Sequence, residues 1–228
     1  MRPLKTNGLI PATDFPVKSY EAIYDLVVAR WGDQKLYDDF AGAWSAVSYR
    51  FEAAAKSGAE FEVSLRIAGA TPTAEERFRQ DSALAEFFSA GYSVFESVFY
   101  GLHAVAACLD PSVFSLSTPK ARQQVSPSQT TVAFKKAFAG DPYLIVLDMF
   151  AADPAYLEWK EIRNVLTHRT APGRRMYVGI GVDDAPPTEW KLNDIPMDET
   201  LVPTRRAAHA RLLGHLMDGG AAFLLSRT

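Results

Sequence analysis

Apolar residues recur every seven positions over two long stretches of the chain. Across roughly 34–68, Phe40, Val47, Ala54, Phe61 and Ala68 make one row, and Trp44, Phe51, Gly58 and Leu65 make a second, four positions on. Across 73–109, Phe78, Ala85, Tyr92, Phe99 and Ala106 form one row and Phe88, Phe95, Leu102 and Leu109 the other. Paired rows of this spacing lay an apolar stripe along one side of a helix, the seam of a bundle. Gly69 and Thr71-Pro72 end the first stretch, and Thr73-Ala74-Glu75-Glu76 offers a capping-box start for the second. The tight turn between them predicts an antiparallel helix hairpin, the base of a four-helix bundle.

Around that hairpin the punctuation predicts shorter pieces. Residues 1–33 read as an extended arm with Pro3, Pro11 and Pro16, then a short helix that Ser19 could cap, ending near Arg30. The serine- and glutamine-rich stretch 112–128 reads as a loop with little regular structure. Helices are expected at 128–139 and 142–151, broken at Gly140-Asp141-Pro142. Asp153-Pro154 then starts another helix in the favoured cap-then-proline order. Pro172 ends that helix by about Ala171. Met176 to Val182 suggests a strand, with Trp190-Lys191-Leu192 as its partner across Pro186-Pro187. A last helix is expected over 198–225, with Pro203 in its first turns and Gly219-Gly220 as a possible break. The whole reads as one all-α domain over 1–228: an arm, an antiparallel helical bundle over 34–172, a small β-hairpin over 173–197 and a C-terminal helix over 198–228.

Composition changes this picture little. The 228 residues are 48% apolar and carry a formal charge of −3, so any nucleic-acid contact would rest on a local patch. The single cysteine, Cys108, sits in an apolar helical run and reads as a structural thiol in a reducing compartment. Met1 to Tyr20 has no apolar core of signal-peptide length and no uninterrupted apolar run approaches a membrane span, so the expected location is cytoplasmic. No dinucleotide fingerprint, phosphate-binding Walker loop, Gly-x-Ser-x-Gly elbow or Cys-x-x-Cys pair is present, and no cofactor or metal site is expected.

The chemistry is concentrated in Glu158 to Arg169. On a helix, Trp159, Ile162 and Leu166 share one face, Leu157, Glu161, Asn164 and His168 the other, and Arg163 lies at the border. His168 falls in the last turn, where exposed carbonyl dipoles favour an imidazolium. From Ile162 to Val182 there is no acidic residue, yet Arg163, His168, Arg169, Arg174 and Arg175 are all there. This is the chain's expected anion-handling spot. The competing reading pairs Arg163 with a carboxylate such as Glu161 or Asp153 and leaves His168 as a helix cap.

Arg163-Asn164-Val165-Leu166-Thr167-His168 resembles the Arg-x4–6-His signature of the HEPN superfamily, including the polar residue after the arginine. The resemblance covers roughly 73–172. It implies a helical bundle, commonly a homodimer with two motif helices meeting in one cleft, and in many members a metal-independent endoribonuclease of toxin or host-defence type. On that reading His168 acts as general acid or base on the ribose 2′-hydroxyl or leaving oxygen, Arg163 holds the phosphate and Asn164 orients the imidazole. RNA and an antitoxin or other protein are the implied partners. The alternative is a non-catalytic bundle of the same type that binds a protein or a nucleotide. Arg169, Arg174 and Arg175 are candidate substrate contacts. So are Glu96, Tyr100 and His103, a polar stripe that would line the same cleft if its helix packs beside the motif helix. The bland reading of that stripe is a hydrogen-bonded flank. His209 reads as a core histidine and His215 as a solvated one, while Arg205, Arg206 and Arg211 could add a basic face.

Overall fold

The computed structural model describes residues 14–69, 71–168, 173–175 and 188–227, of which 76% are helical. The elements are α1 (Val17–Trp31), α2 (Tyr37–Ala68), α3 (Ala74–Leu109), α4 (Pro119–Gln124), α5 (Pro127–Ala137), α6 (Tyr143–Ala152), α7 (Pro154–His168), β1 (Gly173–Arg175), β2 (Glu189–Leu192), β3 (Ile195–Pro196) and α8 (Leu201–Leu225).

The α2–α3 hairpin organises the rest. Thr73 starts α3 with a full capping box: its side chain accepts from the Glu76 N–H, and the Glu76 carboxylate accepts from the Thr73 N–H at 2.9 Å. α3 is the central helix, covered by α2, α5, α7 and α8. Between Phe87 and Ala107, Ser89, Ser93, Glu96 and Tyr100 are the positions that escape full burial. Their spacing makes one polar line along the helix, and apolar packing closes around the remainder. That explains why α3 is apolar enough to cross a membrane by composition: 72% of its apolar window is buried inside the protein.

The seven-residue rows hold on α2 from Phe40 to Phe61, all buried. On α3 they fail at one end, where Phe78 is 71% exposed. A straight helix drifts by about 20° per heptad against a strict seven-residue row. The row buried at Tyr92, Phe99 and Ala106 has therefore rotated outward by Phe78.

Other expectations need correction. The serine-rich stretch is not all loop: Thr118 caps α4 by accepting from the Ala121 N–H, and Ser126 caps α5 by accepting from the Gln129 N–H, each followed by a proline at the first helical position. Ser19 does not cap α1, which begins after Pro16; its hydroxyl donates to Asp218 instead. α8 runs unbroken through Gly219-Gly220. A Cβ on Gly219 would lie 2.8 Å from the Tyr143 ring and one on Gly220 3.3 Å from Leu102, so these glycines allow close helix packing.

The proposed strand 176–182 lies outside the described residues. The described sheet is antiparallel in the order β1-β2-β3, and its second hairpin was not anticipated. β2 and β3 are joined by Asn193-Asp194, at φ 48° and 64°. Asn and Asp are the non-glycine residues that best tolerate that region, so the pair suits a two-residue hairpin turn. On β2, Trp190 and Leu192 point inward and are buried, while Lys191 faces out.

Candidate functional site

The site is built on α7, and the inner side of α7 is anchored hard. The Asp153 carboxylate accepts from the Ala155 N–H at 2.9 Å, and Tyr156, Trp159, Ile162 and Val165 are buried. The Trp159 ring packs 4.9 Å from Phe87, 4.8 Å from Phe88 and 5.2 Å from His209. Gly91 makes room for it: a Cβ there would sit 2.4 Å from Trp159 Cζ3. We expect Gly91→Ala to destabilise the protein by about 1–3 kcal/mol, the usual cost of overpacking a filled core. Urea unfolding of the two proteins measures it, and an unchanged midpoint would contradict this packing.

Above that anchored face sits Arg163, half-buried. Its Nη1 donates to Asn164 Oδ1 at 3.1 Å, its Nη2 lies 4.0 Å from Glu96 Oε1, and its Cζ stands 5.2 Å from the centre of the Tyr92 ring. Ser93 Oγ donates to the other Glu96 oxygen at 3.3 Å. Tyr92 in turn stacks on Tyr156 at 6.0 Å. Burial raises the pKa of both phenols, so each stays protonated at neutral pH. The guanidinium is thus held by a carboxylate, an amide oxygen and an aromatic face, with its side chain still 26% exposed.

Asn164 is turned toward Arg163, and its carboxamide oxygen is engaged there rather than on an imidazole. His168 is the last residue of α7 and is exposed. It follows Leu157, Glu161 and Asn164 along the outer stripe of the helix, and Leu157 at 48% exposure is the apolar member of that stripe. The carboxylate facing Arg163 is Glu96, on another helix, and not Asp153, which pairs with Arg211 at 2.8 Å.

Of the Glu96, Tyr100 and His103 stripe, Glu96 alone is found beside the motif helix. Seven residues of helix rise about 10 Å, enough for different partners to cover its two ends. α7 covers the middle of α3, where Glu96 is. Tyr100 instead donates to Asp39 Oδ1 at 3.0 Å, and Arg122 grips the same carboxylate through Nε at 3.2 Å and Nη2 at 3.3 Å. His103 is buried against α5, with Nδ1 3.2 Å from Thr130 Oγ1, and desolvation lowers its pKa to about 4.

The arginines after the motif separate too. Arg169 lies outside the described residues. Arg174 and Arg175 are neighbours on β1, so they point to opposite faces. Arg174 goes inward with a side chain only 5% exposed. Its guanidinium stacks 3.8 Å from the centre of the Trp190 ring and donates through Nη2 to Gln80 Oε1 at 2.7 Å and Asp81 Oδ1 at 3.3 Å. It pins the sheet to the start of α3. Arg175 faces out, opposite Glu189, and lines a polar cleft of about 430 Å³ with Lys191 and Asp194. Arg205 and Arg206 are paired with Glu158 and Asp14, and Arg211 with Asp153, so this trio forms no uncompensated basic face. Among the described residues no three His, Cys, Asp or Glu side chains converge to hold a metal ion.

Compared with known proteins, the chain matches no family model, no curated protein and no solved structure. The geometry alone therefore carries the functional argument. The parts that sequence reading missed are Tyr92 and Ser93. Tyr92 stands four residues before Glu96 on the same helix, which was a usable signal, but its place in an apolar row hid it.

Proposed function

We propose that the outer side of α7 is an RNA phosphodiester site of HEPN type, and that the protein is a metal-independent endoribonuclease working as a cytoplasmic homodimer. The observation that supports this best is the setting of Arg163: a partly exposed guanidinium flanked by Glu96, Asn164 and Tyr92, with the exposed imidazole of His168 one turn beyond Asn164. A guanidinium held in place offers a phosphate two parallel N–H donors with little ordering cost. Imidazole is the side chain that gains and loses a proton near neutral pH.

In the proposed reaction the 2′-oxygen attacks phosphorus while His168 takes its proton. The bond to the 5′-oxygen breaks, that oxygen takes a proton from solvent as it leaves, and His168 afterwards returns its proton to solvent. The products are a cyclic phosphate end and a 5′-hydroxyl. Arg163 offsets the charge gathering on the non-bridging oxygens. Five residues along a helix turn the direction of a side chain by about 140°, so one α7 does not aim Arg163 and His168 at a common phosphate. In the proposed homodimer the two α7 helices meet in one cleft, with Arg163 and His168 supplied to a phosphate by different protomers.

A second reading also has support. The Glu96 carboxylate already partners Arg163, which suits a non-catalytic bundle that binds a protein or a nucleotide, and the negative net charge counts against a general RNA binder. RNA cleavage in excess chelator decides between them, with wild type beside Arg163→Ala and His168→Ala. The nuclease reading expects cleavage that survives the chelator and falls by 100-fold or so or more in each variant, with unchanged circular dichroism. Equal activity in all three, or none in wild type across single-stranded and structured RNA, would sink it.

A further inference from the structure

Away from α7's outer stripe, α6 and α8 part to leave a cleft of about 340 Å³. Its floor is Val146, Phe150 and Leu212, the last two buried. Both ends are closed. At one end Gly219 lets Tyr143 and Val146 approach α8. At the other, Arg211 and Asp153 are tied by an ion pair of 2.8 Å. From Arg211 to Gly219 a helix rises about 12 Å, the length of a small molecule and too short for a docked helix of several turns. Volume and apolar lining match those of small-ligand sites. Met149 stands at the rim, 64% exposed, an adaptable side chain able to fold over an occupant.

Charge selects among small ligands. The positive charge of Arg211 is matched by Asp153, whereas Asp218 accepts from the Ser19 hydroxyl and has no cationic partner among the described residues. His215 lies between these two ends and is exposed. The cleft therefore carries an apolar floor and one uncompensated carboxylate. We propose that it binds a small apolar amine, its hydrocarbon or aromatic body on Phe150 and Leu212 and its ammonium group at Asp218. This site is independent of the α7 chemistry.

The test uses three probes of one skeleton, 1-naphthylethylamine, 1-naphthylacetate and 1-naphthaleneethanol, titrated into the full chain while amide and methyl NMR signals are followed. The amine is expected to bind with shifts centred on Val146, Met149 and Leu212, and more tightly than the carboxylate by about tenfold. Asp218→Asn should bring the amine down to the affinity of the alcohol, a loss of about threefold to fivefold for an exposed ion pair. Met149→Lys, at an exposed position that should leave the fold unchanged by circular dichroism, should repel the amine and weaken its binding by about threefold to fivefold while sparing the alcohol. Equal affinity for amine and carboxylate, shifts centred elsewhere, or no binding of any probe would each overturn the proposal.

Discussion

Acidification from pH 6.5 to about 4 is expected to remove roughly 3 kcal/mol of stability for each of two buried histidines, His103 and His209. Both have their pKa lowered from 6.5 to about 4, chiefly by burial. His209 is enclosed by Phe51, Phe95 and Trp159, and its Nε2 donates to the Gly91 carbonyl at 2.8 Å. That bond places a proton on Nε2 and by itself favours the charged ring, but burial outweighs it and keeps the ring neutral. The sign follows from proton counting. Between pH 6.5 and about 4 the unfolded chain binds protons on these rings and the folded chain does not, so stability falls as pH falls. Above that window the contribution is fully present. Below it both states are protonated and the loss levels off. Urea unfolding at steps from pH 7.5 to 4.5 measures the slope. His209→Gln keeps a neutral donor for Gly91 and should remove about half of the histidine part of it. A stability curve flat across the window would show that neither ring is held neutral.

Trp159→Ala is expected to cost about 3–5 kcal/mol, the range for truncating a large buried aromatic residue. Its ring joins α7 to Phe87 and Phe88 on α3 and to His209 on α8. One term works the other way: Trp159 Nε1 is buried without a hydrogen-bond partner, so removing it relieves a desolvated donor. Arg163→Ala, in contrast, breaks a 4.0 Å ion pair between groups 26% and 39% exposed, a contact worth at most about 1 kcal/mol. The difference between the two variants, read by denaturant unfolding, separates scaffold from site. An Arg163→Ala protein as unstable as Trp159→Ala would mean that the arginine is part of the core, and loss of RNA cleavage in that variant would then say nothing about chemistry.

The long helices were legible because local signals set them. Seven-residue rows place α2 and α3, Thr73 and Glu76 mark the start of α3, and Asp153-Pro154 marks the start of α7. The same periodicity overreached at Phe78, where helical drift turns the row to solvent. Sequence could not choose the carboxylate facing Arg163. Glu161 and Asp153 were close in the chain, but Glu96 is placed by the packing of α7 on α3, a contact between distant segments. Arg174 shows the same limit. In a basic run it reads as a surface contact, and only the sheet register, which sets it opposite Trp190, turns it inward. Gly219-Gly220 reads as a break because glycine weakens helices, and the compensating contacts with Tyr143 and Leu102 are visible only once α6, α3 and α8 are assembled.

The pairing of α2 with α3 also bears on the order in which the chain assembles. Its two partners are joined by a short turn, so bringing them together closes a small loop and costs little chain entropy. The contact of α1 with α8, where Ser19 meets Asp218 and Ile23 lies beside Gly220, closes almost the whole described chain. Local contacts form early and distant ones late. The central hairpin is therefore expected to form early and the α1–α8 seam late, so Ser19→Ala should speed unfolding and leave the folding rate nearly unchanged, which stopped-flow kinetics would measure.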